Sequence, residues 1–282
     1  MRQFHTLNRT VEMSGIGLHC GQEISLSIVP DERPGWRFAR RDLPGSPEIV
    51  ATLENVVATQ HATVLRHDSA SVSTTEHLLA ALWTQEITHA RIEINGPEVP
   101  ILDGSAQPWV EAIEHAGTQK VDGERPVWKL QNSVWWESGN TGVLGVPNEG
   151  FRLSVTSNFD HQHAGPQIVD LEVTARNFAR ELAPARTFTL ENWLAPLREA
   201  GLIRGGSLEN AILVSDSGLS TALRFPNEMA RHKALDCVGD LALLFGGDGG
   251  SFEGHIIATR AGHGAHRAWM EMCRNLGVLQ RV

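Results

Sequence analysis

Short runs of alternating polar and apolar residues mark the strands of the first half. Glu23 to Val29 (EISLSIV) alternates with period two and predicts a half-buried strand. Arg91 to Ile94 (RIEI) predicts another, closed by the turn signal Asn95-Gly96. Before it, Ser73-Thr74-Thr75 offers caps to an apolar, helix-forming run from Glu76 to Leu82. After it, Ser105 is the expected N-cap of a helix from about Ala106 to His115. In the second half, strands are expected over Val127 to Trp136 and Phe151 to Thr156. A helical piece follows around Leu190 to Ala200, then a strong helix from Arg231 to Phe245 and a glycine-rich turn, Gly246 to Gly250. A strand, Gly254 to Thr259, and a helix, His266 to Leu276, close the chain.

The stretch Gly117 to Pro126 holds few apolar residues and reads as a linker. It divides the chain into an N-terminal unit, 1–120, and a C-terminal unit, 125–282. A faint echo joins the two. Glu76 to Leu82 leads through a turn to the strand at Arg91, and Arg231 to Leu235 leads through a turn to the strand at Gly254. Two similar α+β halves would produce that pattern.

Composition narrows the class. The chain has 282 residues, 41% of them hydrophobic and 20% charged, as in an ordinary soluble globular protein. That length fits two domains or one large one. A net charge of -9 without a basic patch argues against nucleic-acid binding. No apolar run reaches the roughly 18–20 residues of a membrane span, and no apolar signal segment opens the chain. Cys20, Cys237 and Cys273 are an odd, scattered set, which suits a reducing compartment. The expectation is a soluble cytoplasmic protein without stable membrane insertion.

Lysine usage adds a smaller clue. The 24 basic residues include only Lys120, Lys129 and Lys233, and tyrosine is absent. A lysine that persists in an arginine-biased chain invites a reason.

Three patterns could carry chemistry. On a helix, His232, Asp236 and Asp240 repeat every four residues and share one stripe. A histidine and a carboxylate spaced this way can reach one metal ion. Glu76-His77 could add a third ligand and an adjacent base. Gly262-His263 lies between a strand and a helix, where a histidine oriented by Asp240 could act as a general acid. Taken singly, each also fits a commonplace role: a surface ion pair, a helix-start glutamate, a loop histidine. His161-Gln162-His163 alternates like two ligands on a strand but lacks a neighbouring carboxylate partner. The segment Gly15 to Gly21 does not have dinucleotide-fingerprint spacing, the Gly246–Gly250 loop lacks a following Lys-Ser/Thr, and no GxSxG occurs.

Together the patterns are specific. Gly15-Ile16-Gly17-Leu18-His19, Ser73 to Leu78, Pro97 to Ser105, Ala185-Arg186-Thr187-Phe188, Arg231 to Asp236, Gly239-Asp240-Leu241 and Gly262-His263 occur in one order over nearly the whole chain. In this the sequence resembles the UDP-3-O-acyl-N-acetylglucosamine deacetylases, the zinc amidases of lipid A synthesis. The resemblance implies an α+β fold of two similar α/β-sandwich domains packed face to face, with the active site between them. It implies Zn2+ held by His77, His232 and Asp236, with Glu76 as general base. It implies His263 as general acid oriented by Asp240, Thr187 bonding the developing oxyanion, and Lys233 acting near the metal and contacting substrate. Phe188 would face the sugar, and Leu18, Leu194 and Leu208 would also contact substrate. The substrate so implied is a nucleotide sugar, acylated, from which acetate is released.

Amide hydrolysis suits such a set. A metal polarises the carbonyl and acidifies water, one residue takes a proton and another gives one. The compact Lys233 ammonium would differ there from a guanidinium fork.

The sequence departs from the family at four positions. His266 stands where asparagine is usual, Thr189 replaces a usual glycine, and Glu191 and Trp193 fall where the acyl passage begins. A carboxylate facing an apolar tunnel would be costly. The passage departures motivate a second reading, a paralogous zinc N-deacetylase for another nucleotide sugar or amino sugar; a third, a non-catalytic binding module on the same fold, is disfavoured because every proposed catalytic residue is present. The segment Phe188 to Leu213 nevertheless holds eight small or branched apolar residues, Leu190, Leu194, Leu197, Leu202, Ile203, Leu208, Ala211 and Leu213, able to line a passage.

Overall fold

The computed structural model describes residues 3–282. Met1 and Arg2, which open the first expected unit and the segment read for a signal, lie outside the described residues.

The fold is α+β, as expected. One five-stranded sheet runs in the order Val11–Ile16, Glu23–Pro30, His89–Ile94, Gly35–Arg40, Glu48–Val50. Within it Gly35–Arg40 pairs parallel to His89–Ile94, and every other pair is antiparallel. The chain between those parallel strands contains a helix, Glu76–Thr84, and a second helix, Gln107–Ala116, follows the sheet.

The second half repeats this order. Val134–Ser138, Thr141–Val146, Ser251–Thr259, Phe151–Ser157 and Gln167–Glu172 pair in sequence, with the one parallel pair of this series between Phe151–Ser157 and Ser251–Thr259. Its intervening helix is Glu228–Phe245 and its following helix is His263–Leu276. Val127–Leu130 and Leu279–Arg281 extend this sheet along the start of Ser251–Thr259. Each half also inserts a small three-stranded sheet before its intervening helix: Val56–Ala58, Val64–His67 and Ala70–Val72 in one, Phe188–Leu190, Ile212–Ser215 and Gly218–Leu219 in the other. The echo in the sequence is the trace of this repeated strand–helix–strand–helix order.

Alternation explains the strands. Glu23–Pro30 buries Ile24, Leu26 and Ile28 and exposes Glu23 and Ser25. The strand expected over Val127 to Trp136 is two strands, because Gln131 to Ser133 turn the chain between sheet positions. The expected linker is also different. Thr118–Glu124 is a strand, largely exposed, that pairs antiparallel with Gln3–Leu7. Backbone ladders need no apolar side chains, so this strand leaves no periodic trace. Ala106, not Ser105, is the cap position of the helix Gln107–Ala116, although Ser105 Oγ still accepts from the Gln107 N–H at 3.2 Å.

The helices Glu76–Thr84 and Glu228–Phe245 pack against each other, and all nine residues of the former are buried. Gly239 sets their approach. A Cβ at this position would lie 2.0 Å from the Glu76 carbonyl oxygen and 2.7 Å from its carbon. Backbone cannot give way as a side-chain tip can, so only glycine allows this crossing. Gly239→Ala is therefore expected to destabilise the protein by about 1–3 kcal/mol, as overpacking does. Urea unfolding will measure it; an unchanged midpoint would show that the two helices can separate at no cost.

Candidate active site

The site forms where these two helices meet. His77 projects from the start of Glu76–Thr84, and His232 and Asp236 project from Glu228–Phe245. His77 Nε2 and His232 Nε2 each lie 3.5 Å from Asp236 Oδ1, and the two rings stand nearly perpendicular at 5.0 Å. One ligand atom from each of the three residues falls within 4.8 Å of the others, and all three side chains are buried. Two imidazoles and a carboxylate on rigid helices form a candidate metal site. His232 Nδ1 is 3.1 Å from the Ala185 carbonyl. As the donor in that bond it leaves Nε2 with its lone pair toward the cluster. Burial pushes the His232 imidazole down to about 4, which favours the neutral, ligating form.

The two oxygens of Asp236 divide their work. Oδ1 faces the imidazoles, while Oδ2 accepts from Lys233 Nζ at 2.8 Å. Burial alone would lower the lysine, but the Asp236 charge outweighs it and raises the ammonium above its usual value. Lys233 also lies 5.6 Å over the Phe188 ring. It stands at the cluster as a fixed positive charge.

The Glu76 carboxyl faces the same space. Its Oε2 accepts the Thr63 backbone N–H at 3.2 Å and its Oε1 lies 3.9 Å from His263 Nε2. Burial raises it above the ordinary carboxylate range, against the pull of His263 and His77. Asp240 behaves oppositely. Its Oδ1 accepts from Thr63 Oγ1 at 2.6 Å, and its Oδ2 from His263 Nδ1 at 2.8 Å and His266 Nδ1 at 2.7 Å. Burial works against its ionisation, yet the imidazoles hold it well below the usual range. His263 in turn rises to about 10, because Asp240 foremost, then Glu76 and Asp236, overcome its burial. It opens the helix His263–Leu276, three residues earlier than the sequence suggested.

The loop Ala185 to Phe188 is clamped to the long helix. Arg186 donates from its backbone and its Nε to Glu228 Oε1 at 3.0 and 2.9 Å, and Glu228 is fully buried. Thr187 is held by its N–H on the Gly104 carbonyl at 2.7 Å. Gly104 has φ +85°, and a Cβ there would lie 2.1 Å from the Asn210 carbonyl oxygen. Thr187 is thereby fixed beside the cluster.

A cavity of about 700 Å³ adjoins the site. Leu18, Thr187, Lys233 and His263 border both it and the small space at the cluster. Phe188, Leu194, Leu197, Ile203, Leu208 and Leu213 give it an apolar wall. Leu190 turns instead into a small separate core with Ile212 and Val214. An aromatic row runs outward from the ligands: His232 to Phe188 at 6.1 Å, Phe188 to Phe159 at 4.9 Å, Phe159 to Trp193 at 5.9 Å. Glu191 is exposed and does not line the cavity, so the expected conflict between a carboxylate and an apolar tunnel does not arise. Trp193 and Thr189 do line it.

The candidate site residues therefore border one or the other of two adjoining spaces, apart from Asp240, which stands directly behind His263. Sequence reasoning missed Thr63, which bridges Glu76 and Asp240, and it gave no role to His19. Both His19 ring nitrogens are buried, and the ring borders both spaces beside His61. A lone threonine and one of 13 histidines carry no local signal. Among the described residues His161 and His163 form no cluster with a third ligand; His161 pairs at 3.4 Å with the exposed Asp216.

No helix among the described residues is long and apolar enough to cross a membrane. Residues 4–274 match the model of the LpxC family, UDP-3-O-acyl N-acetylglycosamine deacetylase. A UDP-3-O-acyl-N-acetylglucosamine deacetylase of Thermosynechococcus vestitus is 44% identical over 93% of this chain and 90% of its own length. The enzyme of that name from Trichormus variabilis is 42% identical over 93% of this chain and 95% of its own. One from Geotalea uraniireducens is 40% identical over 92% of this chain and 84% of its own. A match of this extent, over a chain that brings its buried ligand cluster, acid and base candidates to one cavity, decides the question: the chain belongs to the UDP-3-O-acyl N-acetylglycosamine deacetylase family.

Proposed function

We propose that the chain is a zinc-dependent amidohydrolase that removes the N-acetyl group of UDP-3-O-acyl-N-acetylglucosamine, releasing acetate, in lipid A biosynthesis. One observation carries this reading: the His77–His232–Asp236 cluster is flanked by a raised carboxyl, Glu76, and a raised imidazole, His263, at the edge of a cavity with an apolar wall. The donors fit zinc in number, type and burial. When bound there, zinc supplies a Lewis acid for the acetyl carbonyl and lowers the pKa of water toward about 7.

The side chains divide the remaining work. Glu76 takes a proton from the attacking water at its carboxylate, as its raised pKa suits. His263 gives its Nε2 proton to the amide nitrogen as the C–N bond breaks, leaving acetate and a free amine. Asp240 holds the imidazole by Nδ1 and stabilises its protonated form. The Thr187 hydroxyl donates to the oxygen on which negative charge develops. Lys233 adds a fixed positive charge beside Asp236 and contacts the sugar with Phe188 and Leu18, while His19 offers a ring nitrogen to a polar substrate group. Trp136, Ser138, Thr141 and Arg260, on the cavity's more polar side, suit the nucleotide. Leu194 and Leu208 take the acyl chain. The chain divides into units 1–120 and 125–282, in line with its repeated strand order, and acts in the cytoplasm, in line with three free cysteines.

The direct test is acetate release from UDP-3-O-acyl-N-acetylglucosamine by the zinc-loaded protein. Absence of release, with release from another N-acetylated sugar, would replace the substrate and keep the chemistry.

His232→Ala is expected to leave the protein folded but unable to retain stoichiometric metal. Elemental analysis after dialysis measures this, and one metal per chain in the variant would remove His232 from the ligand set. Glu76→Gln is expected to keep its metal and lose activity on the order of a hundredfold or more, since its role is proton transfer. Near-normal turnover at saturating substrate would assign the base elsewhere.

Acyl length gives a third expectation. Each methylene buried along the apolar wall contributes about 0.8 kcal/mol, or about fourfold in kcat/KM, until the cavity is full. Trp193, partly exposed at the end of the aromatic row, limits the length accommodated, so Trp193→Ala should move the optimum to longer chains. A series flat in length, with bare UDP-N-acetylglucosamine as good as any, would remove the acyl passage from this reading.

A further inference from the structure

Asp240 serves two imidazoles at once. The Oδ2 atom that accepts from His263 Nδ1 at 2.8 Å also accepts from His266 Nδ1 at 2.7 Å. His266 is 1% exposed and borders neither the cavity nor the space at the cluster, so it touches no substrate. One Asp–His pair, braced by Thr63 on the other carboxylate oxygen, already orients His263. The second imidazole on the same oxygen needs its own explanation.

We propose that His266 is a positioning residue that divides the Asp240 carboxylate between two imidazoles, so that His263 holds its proton less tightly than it would with an undivided Asp240. The inference rests on His263 acting as the general acid. An acid gives its proton best when its pKa lies near the working pH. Asp240, Glu76 and Asp236 all raise His263, to about 10 even against burial and against the positive end of its own helix. A competing donor on Oδ2 weakens the largest of these pulls. Charge acts in the same direction. Burial would lower His266, but Cys237 and Asp240 push it up to about 9. At neutral pH it therefore carries a proton, with its ring centre 6.4 Å from that of His263. Two like charges at that distance each lose proton affinity.

The titratable and charged groups around this pair come from every element packed on it: His19, His61, His77, His232 and Lys233 border the space at the cluster with His263, and Arg260 borders the cavity. Asp236, Cys237 and Asp240 come from the long helix, Glu76 from the facing helix, and the two histidines face each other. None of these groups other than His266 is altered in a His266 variant.

The sign of the effect separates this role from simple support. If His266 only propped Asp240 in place, its loss would loosen the His263 anchor and lower the His263 pKa. If it divides the carboxylate, its loss raises that pKa. The decisive variant is His266→Asn, which keeps a neutral N–H donor of similar reach; His266→Ala is the companion.

In the metal-loaded protein, the His263 ring is titrated by 15N NMR and kcat/KM is measured against pH. The expected result is an upward move of the His263 midpoint by about one pH unit in His266→Asn, as loss of a like charge at that distance would give. The alkaline limb of kcat/KM, which marks loss of the acid's proton, should move up with it. Activity near neutrality should fall severalfold while the metal is retained. An unmoved or lowered His263 midpoint overturns the proposal. His263→Ala tests the reading beneath it: an alkaline limb that survives that change removes His263 as the general acid, whatever His266→Asn does to the ring titration.

Discussion

The contact between Gly239 and the Glu76 backbone governs the rest of the structure. Neither half holds a complete site. The first contributes His77 and Glu76; the second contributes His232, Asp236, Asp240 and His263. Their side chains reach each other only because two helix backbones cross closer than any Cβ would permit. The close crossing also explains why all nine residues of Glu76–Thr84 are buried, polar ones included. Ligands fixed on packed helices hold their geometry better than ligands on loops. The same packing carries a cost, since several ionisable groups are withdrawn from water within one small volume. A site of this kind trades stability for pre-arranged charge.

The three carboxylates of the site show how that charge is sorted. Glu76 receives one backbone N–H, so burial dominates and its proton is held more tightly. Asp236 receives the Lys233 ammonium, and Asp240 receives two imidazoles and a hydroxyl, so both remain anionic. Environments that push like groups apart assign them different tasks. Glu76 is the one of the three without a hydrogen bond from an ammonium or an imidazole among the described residues. Asp236 and Asp240 are the two that face cationic donors. Thr63 links the two sides, with its N–H on Glu76 and its hydroxyl on Asp240.

Legibility in the sequence followed the range of the forces involved. The stripe His232–Asp236–Asp240 was visible because helix geometry alone puts those residues on one face. Most strand cores were visible because burial on one sheet face imposes alternation. Thr118–Glu124 was hidden because its stabilisation is a backbone ladder with exposed side chains on a distant partner, Gln3–Leu7. Thr63 was hidden for a related reason: its two bonds reach 13 and 177 residues along the chain. Glu191 was misjudged because the order of residues in a short helix start does not say which of two neighbours turns inward. Trp193 does, and Glu191 does not. The family motifs filled part of this gap, since Gly104 and Arg186 have no local signature of their own.

The repeated strand order gives those long-range features a common origin. In both halves a small three-stranded sheet enters at the same point, between the fifth strand of the series and the intervening helix. The sheet frames are alike, so the differences in chemistry reside in the inserts and in the helix faces. The first insert is compact, and the turn leading into its second strand delivers Thr63 and His61 to the polar end of the site. The second is longer and carries the loop with Thr187 and Phe188 and the apolar wall around Leu194 and Leu208. Its Leu190, Ile212 and Val214 pack in a small core apart from the main one, closed by Ala164 from before Gln167–Glu172 and by Met229 from the start of the long helix. Met229 lies at the far end of that helix from Gly239, so the wall residues of this insert can change without touching the crossing. The geometry of the reacting groups and the shape of the cavity are thus held by separate packing units. The departures at Thr189, Glu191 and Trp193 fall in the second of these units and leave the first untouched.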